Sequence, residues 1–284
     1  MNVLVLGASG MLGNAMIRVL SEKNSLKVFG SIRSQKIKKF FSQNISNNLV
    51  QCKDITNYDS LVDIFNKTQP DVVINCISLS KELLTKSDPL LMIPIYALLP
   101  HQLAKLCKVN NSRLIHISTD GIFSGSKGGY IESDPFDVQD LYGVTKFIGE
   151  VNDPHSISIR TSIIGHELQQ KKGLLEWFLS QKKSCKCFNR AIFSGFPTIV
   201  LAQIIRDFVI PRPDLSGIYH VASNPISKCK LLRLIADIYG KKIEILPDKK
   251  IFMNRSLNPE RFRIATGYNP PDWQSLVKIM SLYR

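Results

Sequence analysis

The sequence predicts an α/β protein with a doubly wound parallel sheet and a smaller C-terminal lobe. Short apolar runs alternate with segments of helical periodicity over the first 162 residues. A glycine-rich turn joins the first apolar run to the first helical segment. The run at residues 71–76 is apolar almost throughout, as is typical of a strand buried on both faces. Together these features predict parallel strands joined by crossover helices.

The predicted elements follow one another in regular order along the chain. Strands are expected at residues 2–6, 28–31, 49–52, 71–76, 113–118 and 156–160. Helices are expected at residues 11–22, 56–68, within 90–110 and at 141–152. Thr56 or Asn57 is expected to cap the second helix. The polar stretch 35–48 is expected to be a loop or a short helix with a loop, and 121–140 a loop.

The alternation weakens after residue 162. Helices are still predicted near 173–182, 198–210 and 226–239, and strands near 217–222 and 242–246. We therefore expect residues 1–162, with return segments at about 189–222, to form the sheet domain. Residues 163–284 are expected to form mainly the smaller lobe.

The composition is that of a soluble globular protein, with 44% hydrophobic and 21% charged residues in 284. We find no run of 18 apolar residues and no signal peptide in MNVLVLGASG, so we expect no membrane span and a cytoplasmic location. The net charge of +14 comes from scattered lysines without interleaved aromatic residues. We therefore do not predict nucleic-acid binding, although the charge could attract smaller anionic ligands.

The six cysteines could form disulfides, but a chain without a secretion signal favours free thiols. Cys185 and Cys187 are the only pair close in sequence, and neither this pair nor the others complete a zinc pattern. We expect free cysteines and no metal site.

The glycine-rich turn, residues 7–13, points to a dinucleotide. Gly7 allows the sharp turn, Gly10 lets the backbone approach a pyrophosphate, and Gly13 allows the helix to pack closely on the strand. Its position between the first strand and the first helix makes the sheet a Rossmann-type domain. The residues of the turn predicted to contact the cofactor are Gly7, Ser9, Gly10, Met11, Leu12 and Gly13.

The end of the second strand indicates which dinucleotide binds. An acid there would hold the ribose 2′-hydroxyl of NAD, whereas an arginine accommodates the 2′-phosphate of NADP. Arg33 stands in this place, and the next acid is Asp54. We predict NADPH as the cofactor, held at its 2′-phosphate by Arg33 with help from Lys36.

Tyr142 and Lys146 are four residues apart on a predicted helix and so share one face. A phenol is a poor acid–base catalyst at neutral pH, and a neighbouring ammonium favours its ionised form. Thr119 follows the fifth strand, at the edge of the sheet where ligands bind in this fold. A hydroxyl there could bind a substrate oxygen while Tyr142 handles its proton.

Three stretches, GASGMLG, HISTDGIFSG and YGVTKFIGE, resemble the extended short-chain dehydrogenases/reductases, and in particular the dTDP-4-dehydrorhamnose reductase family. The resemblance runs in order from residue 1 to about 270. It also implies an adenine-contacting segment containing Asp54 and Ile55. It further implies a segment beside the nicotinamide containing Cys76, Ile77 and Ser78.

The resemblance implies that NADPH reduces the keto group of a 4-keto-6-deoxy nucleotide sugar, in the biosynthesis of nucleotide sugars and surface polysaccharides. It implies that Tyr142 protonates the developing alkoxide, that Lys146 assists Tyr142 and binds ribose, and that Thr119 binds the substrate oxygen. The residues considered for substrate binding are Thr119, Asp120, Arg160, Arg255 and Arg261. For Arg160 a structural ion pair is an equal alternative. A homodimer is the one protein partner considered.

The sequence departs from the family pattern at two positions. Tyr96 stands where many extended members carry an asparagine that supports a proton relay through water, and Gly121 stands where an aromatic residue is usual. Two other functions stay open. One is an NAD-dependent nucleotide-sugar epimerase, and the other is a non-catalytic NADP-binding regulatory subunit.

Overall fold

The computed structural model describes residues 1–79, 81–169 and 172–283, with only the backbone of Lys81 and Glu82. The chain divides into two compact units. The first unit comprises Met1–Ser118, Gln139–Ile159 and Ala202–Ile218, and the second comprises Thr119–Val138, Arg160–Leu201 and Tyr219–Arg284.

The bounds of these units differ from the predicted domains. Thr119–Val138, which overlaps the loop expected at 121–140 of the sheet domain, belongs to the second unit. The expected return at about 189–222 is observed at Ala202–Ile218. Backbone hydrogen bonds explain the first difference. Asn254 N–H donates to the Gly125 carbonyl over 2.7 Å, and Tyr130 N–H donates to the Ser256 carbonyl over 2.9 Å. Such long-range pairing leaves no local mark in the sequence.

The strands of the described chain form three sheets. In chain order they are β1 Asn2–Leu6, β2 Lys27–Ile32, β3 Leu49–Gln51, β4 Val72–Asn75, β5 Arg113–Ile117, β6 Ser156–Arg160, β7 Ile163–Ile164, β8 Ser184–Phe193, β9 Phe196–Pro197, β10 Gly217–His220, β11 Ile226–Ser227 and β12 Glu244–Asn254. The seven-stranded sheet has the order β10-β6-β5-β4-β1-β2-β3. Strands β1 to β6 pair in parallel along it. This is the Rossmann-type order, which reverses between β1 and β4, and the predicted fold class is confirmed.

The helices occupy the connections between strands. They are α1 Met11–Ser21, α2 Gln43–Asn47, α3 Tyr58–Thr68, α4 Lys81–Thr85, α5 Pro89–Met92, α6 Leu99–Val109, α7 Leu141–Ile148, α8 Leu174–Ser180, α9 Thr198–Ile204, α10 Lys228–Tyr239, α11 Glu260–Thr266 and α12 Trp273–Leu282. Two π-helical segments, Ile93–Leu98 and Ile205–Val209, continue α5 and α9. Asn57 is the N-cap of α3, and its side chain accepts from Ser60 N–H over 2.9 Å. Of the two predicted caps, Thr56 and Asn57, the second is therefore confirmed.

The core of the first unit lies between the sheet and its helices. Strands β1, β4 and β5 send apolar side chains to both faces, which explains their continuous apolar runs. A buried cluster joins them to α3 and α6, with members including Leu6, Val73, Leu114, Leu61 and Leu103. Packing of this kind fixes the sheet edge at which β1, β4 and β5 end.

The second unit contains a three-stranded sheet in the order β11-β8-β12. Strand β8 was not predicted, although its burial alternates at Cys185 and Cys187 in the manner of a half-buried strand. The expectation of free thiols is wrong for two of the six cysteines, Cys187 and Cys229, which form a disulfide, and Cys229 lies at the start of α10. The two residues are 42 positions apart, so sequence proximity gave no sign of the pair.

One helical stretch, Pro89–Val109, is long and apolar enough to cross a membrane by length and composition alone. Half of its most apolar window is buried inside the structure.

Candidate active site

The glycine-rich turn lies between β1 and α1 and is held from two sides. Gly7 has φ of +79°, a left-handed conformation that glycine adopts without strain. Its N–H donates to Ser31 Oγ over 3.0 Å, and an added Cβ would lie 3.2 Å from the Cys76 carbonyl oxygen. Gly10 caps α1 without a side chain, so the first amides of the helix remain available to an anion.

Gly10 and Gly13 differ in the space around them. A Cβ on Gly13 would fall on the carbonyl oxygen of Gly7, so α1 packs against the turn more closely than any side chain permits. A Cβ on Gly10 would meet the same oxygen at 3.4 Å, which is an ordinary contact. The room beside Gly10 fits the approach of a pyrophosphate, and the backbone cradle as a whole fits a dinucleotide.

The residues proposed to set cofactor preference lie beyond β2 and β3. Arg33 follows β2 with an exposed side chain, and its carbonyl accepts from Gln51 Nε2 over 2.9 Å. Asp54 follows β3 and accepts from both the N–H and the hydroxyl of Thr56, which holds the pKa of that carboxyl below its ordinary value. Ile55 packs against the core of the first unit.

Tyr142 and Lys146 lie on α7, which begins at the Asp140 cap. The Asp140 carboxylate accepts from Gly143 N–H over 2.8 Å and fixes the start of the helix beside Tyr142. Lys146 is 4% exposed, and its Nζ donates to the Ile117 carbonyl over 2.7 Å. Burial lowers the pKa of Lys146 to about 8, and Glu150 opposes that shift. Lys146 is thus desolvated, and its ammonium is fixed at the end of β5.

The segment after β4 lies close to this pair. Asn75 Oδ1 accepts from Ile77 N–H over 3.2 Å, and its amide donates to His116 Nδ1 at 3.2 Å. Cys76 interacts electrostatically with Lys146, and Ser78 Oγ lies 3.0 Å from the Tyr96 hydroxyl. Cys76 therefore lies within electrostatic range of Lys146, and Tyr96 contacts both Ser78 and Tyr142.

Thr119 and Asp120 are the first two residues of the second unit. Thr119 Oγ1 accepts from Gly121 N–H over 3.0 Å and lies 3.4 Å from Asp120 Oδ1. Desolvation raises the pKa of Asp120 to about 6, and the nearby cation of Arg255 opposes the rise. Gly121, at the position where an aromatic residue is usual, is buried.

The three arginines considered for substrate binding have different surroundings. Arg160 is 3% exposed and donates to the Glu132 carbonyl and to His220 Nε2, each over 3.2 Å. His220 is fully buried and in turn donates from Nδ1 to the Tyr130 carbonyl over 2.9 Å. These contacts are hydrogen bonds within the second unit, and substrate binding by Arg160 stays a prediction.

Arg255 and Arg261 are better placed for a ligand. Arg255 acts on Asp120 electrostatically. The Arg261 guanidinium lies 4.5 Å from the centre of the Tyr219 ring and lines a cavity of about 520 Å³. The same cavity is bordered by Glu132 and Asn258.

Comparison with known proteins identifies what this arrangement resembles. The family model described as RmlD substrate binding domain matches residues 1–278. A dTDP-4-dehydrorhamnose reductase of Aggregatibacter actinomycetemcomitans is 25% identical over 99% of this chain and 98% of its own. The methionine adenosyltransferase 2 subunit beta of Xenopus laevis is 24% identical over 84% of this chain and 72% of its own.

A solved structure has the same fold throughout. The dTDP-4-dehydrorhamnose reductase of Bacillus anthracis, in complex with NADP, superposes with a TM-score of 0.80 at 19% identity. The alignment covers 99% of each chain.

Proposed function

The chain belongs to the RmlD substrate binding domain family, and from that premise we propose that it is an NADPH-dependent reductase of a 4-keto-6-deoxy nucleotide sugar. The observation that carries the proposal is the buried ammonium of Lys146, which lies one helical turn after Tyr142. The Ile117 carbonyl accepts a hydrogen bond from it. A role in making nucleotide sugars for surface polysaccharides follows from this activity. The cytoplasmic location and the homodimer remain predictions of the sequence.

The proposed chemistry divides among a few residues. Bound NADPH supplies the hydride for the keto carbon. The glycine turn binds its pyrophosphate, and Arg33 binds the 2′-phosphate. Tyr142 gives its proton to the carbonyl oxygen, which becomes the hydroxyl of the product. Thr119 donates a hydrogen bond to the same oxygen.

Lys146 has the second role in the proposal. Its charge favours the ionised form of Tyr142 after the proton has left, and its remaining donors can bind the ribose. Asp120 and Arg255, and more distantly Arg261, are proposed to bind the nucleotide sugar. Asp54, Ile55, Cys76, Ile77 and Ser78 are proposed to line the cofactor.

The test is NADPH oxidation against a panel of 4-keto-6-deoxy nucleotide sugars, with each product identified by NMR. Net oxidation with a reduced sugar as product supports the reductase. An isomerised sugar without net oxidation would indicate the epimerase, and NADP binding without turnover would indicate the regulatory subunit. The presence of Thr119, Tyr142 and Lys146 together favours a catalyst over the regulatory subunit.

Replacing Arg33 by alanine is expected to raise KM for NADPH about 10-fold or more, because a charge-assisted hydrogen bond contributes about 1.5–3 kcal/mol. KM for NADH should stay within about twofold, since NADH has no 2′-phosphate. Steady-state kinetics with both cofactors measure the effect. Lys39→Ala, which removes an exposed charge from the following segment, is the matched control. Equal losses with NADPH and NADH would contradict the role of Arg33.

The activity is expected to fall as pH rises through about 8, where Lys146 loses its proton. Below that pH the ammonium is present and can support Tyr142. A profile of kcat at saturating NADPH measures this fall. In Lys146→Arg the cation persists at high pH, so any residual activity should lose the alkaline decline near 8. An unchanged decline in that variant would show that another group sets it.

A further inference from the structure

Tyr96 lies in a π-helical turn, and both its backbone carbonyl and its ring pack against α7 or the residue that follows it. The segment Ile93–Leu98 is π-helical, a geometry often found at functional sites. Pro100 has no N–H and so cannot donate to the carbonyl of Tyr96, four residues earlier. That carbonyl packs against Gly149, where an added Cβ would fall directly on it. The π-helical turn therefore packs so closely against the end of α7 that only glycine fits at position 149.

The Tyr96 ring occupies the space beside the catalytic pair. It is 1% exposed, and its centre lies 5.4 Å from that of the Tyr142 ring, edge to face at 86°. The Lys146 ammonium lies 5.4 Å from the centre of the same ring. A cation over an aromatic face is attracted to it, and the attraction strengthens when water is excluded. The ring thus offsets part of the cost of burying the charge of Lys146.

The Tyr96 hydroxyl contacts the segment after β4. It accepts from Leu79 N–H over 2.8 Å and lies 3.0 Å from Ser78 Oγ. Because its oxygen already accepts from Leu79, the hydroxyl can donate its own proton to Ser78. Burial raises the pKa of Tyr96, so this clamp is made by a neutral phenol.

We propose that Tyr96 is a positioning residue with two parts: its ring holds Lys146 and Tyr142 in place, and its hydroxyl holds Ser78 and Leu79 beside the cofactor. The inference rests on the proposed function, since it assigns a role within the same site. It also explains how an aromatic side chain can occupy a position where an asparagine is usual. The two parts predict separate effects, because one substitution can remove the hydroxyl and another the ring.

Tyr96→Phe keeps the ring and removes the clamp. NADPH affinity, measured by fluorescence titration, is expected to fall about 3- to 10-fold. The alkaline decline of kcat is expected at the wild-type pH, because the ring still faces Lys146. Tyr96→Met keeps much of the volume and removes the aromatic face. Its kcat is expected to fall about 10-fold or more, with the alkaline decline moved to lower pH, because Lys146 loses a group that favours its charge.

The groups acting on Lys146 from the neighbouring elements stay in place in both variants. They are Glu150 just after α7, Cys76 after β4, and His116 on β5. Phe65→Met is the matched control, since Phe65 is a buried aromatic of the same unit in α3. It should lower thermal stability without moving the pH profile or NADPH affinity.

The outcomes separate this inference from the proposed function. Wild-type protein that oxidises no NADPH with any sugar of the panel overturns the proposed reductase, and the titration of Tyr96→Phe still tests the clamp. Unchanged NADPH affinity in Tyr96→Phe, or an unmoved pH profile in Tyr96→Met, overturns the role of Tyr96. If Tyr96→Met does not fold, the Tyr96→Phe titration decides.

Discussion

Replacing Tyr142 by phenylalanine is expected to lower kcat by about 10²–10⁴-fold, the range that a positioned acid–base group contributes. The substitution removes a single oxygen from a half-buried side chain on α7. The edge-to-face contact with Tyr96 needs only the ring and should persist. NADPH affinity should therefore stay within about twofold of wild type, because the glycine turn and Lys146 are untouched.

Stopped-flow reduction at saturating NADPH and sugar measures the loss, and a fluorescence titration measures cofactor binding. Tyr58→Phe is the matched control, since Tyr58 is an exposed tyrosine at the start of α3. Its kinetics should equal those of wild type. Near-normal turnover in Tyr142→Phe would remove Tyr142 as the proton donor, whatever the substrate proves to be.

The parts of the fold that could be predicted are those with local signals. The apolar run 71–76, the Asn57 cap and the glycine turn each reflect physics within a few residues, and each is found where expected. The alternation that places Tyr142 and Lys146 on one helix is equally local. The family motifs then predict cofactor binding for the glycine turn and catalysis for Tyr142 and Lys146.

The parts that could not be predicted depend on contacts between distant segments. The carbonyl of Ile117 that holds Lys146 is 29 residues away, and the Cys187–Cys229 disulfide spans 42. The hydrogen bond of Arg160 to His220, 60 residues on, is another contact of this kind. Pro94 and Pro100 within one helical stretch indicate that the helix is irregular near Tyr96. The position of the Tyr96 ring, however, depends on packing against α7.

Replacing Gly13 by alanine is expected to weaken both the fold and cofactor binding. The new Cβ would collide with the carbonyl of Gly7, a backbone group that cannot rotate away. Relieving the clash must shift α1 away from the turn, at a cost of about 1–3 kcal/mol in the free energy of unfolding. The same shift moves the first amides of α1, so NADPH affinity should fall by about 10-fold or more. Urea denaturation and a fluorescence titration measure the two effects.

Gly10→Ala separates the two causes. Its Cβ would lie 3.4 Å from the same carbonyl oxygen, and the backbone at Gly10 has φ of −77°, so alanine fits without strain. Its unfolding free energy should stay within about 0.5 kcal/mol of wild type. NADPH affinity should nevertheless fall, because the added methyl occupies the side from which the pyrophosphate approaches. Wild-type affinity in Gly10→Ala would place the pyrophosphate elsewhere, and wild-type stability in Gly13→Ala would show that α1 and the turn are not packed as tightly as the structure has them.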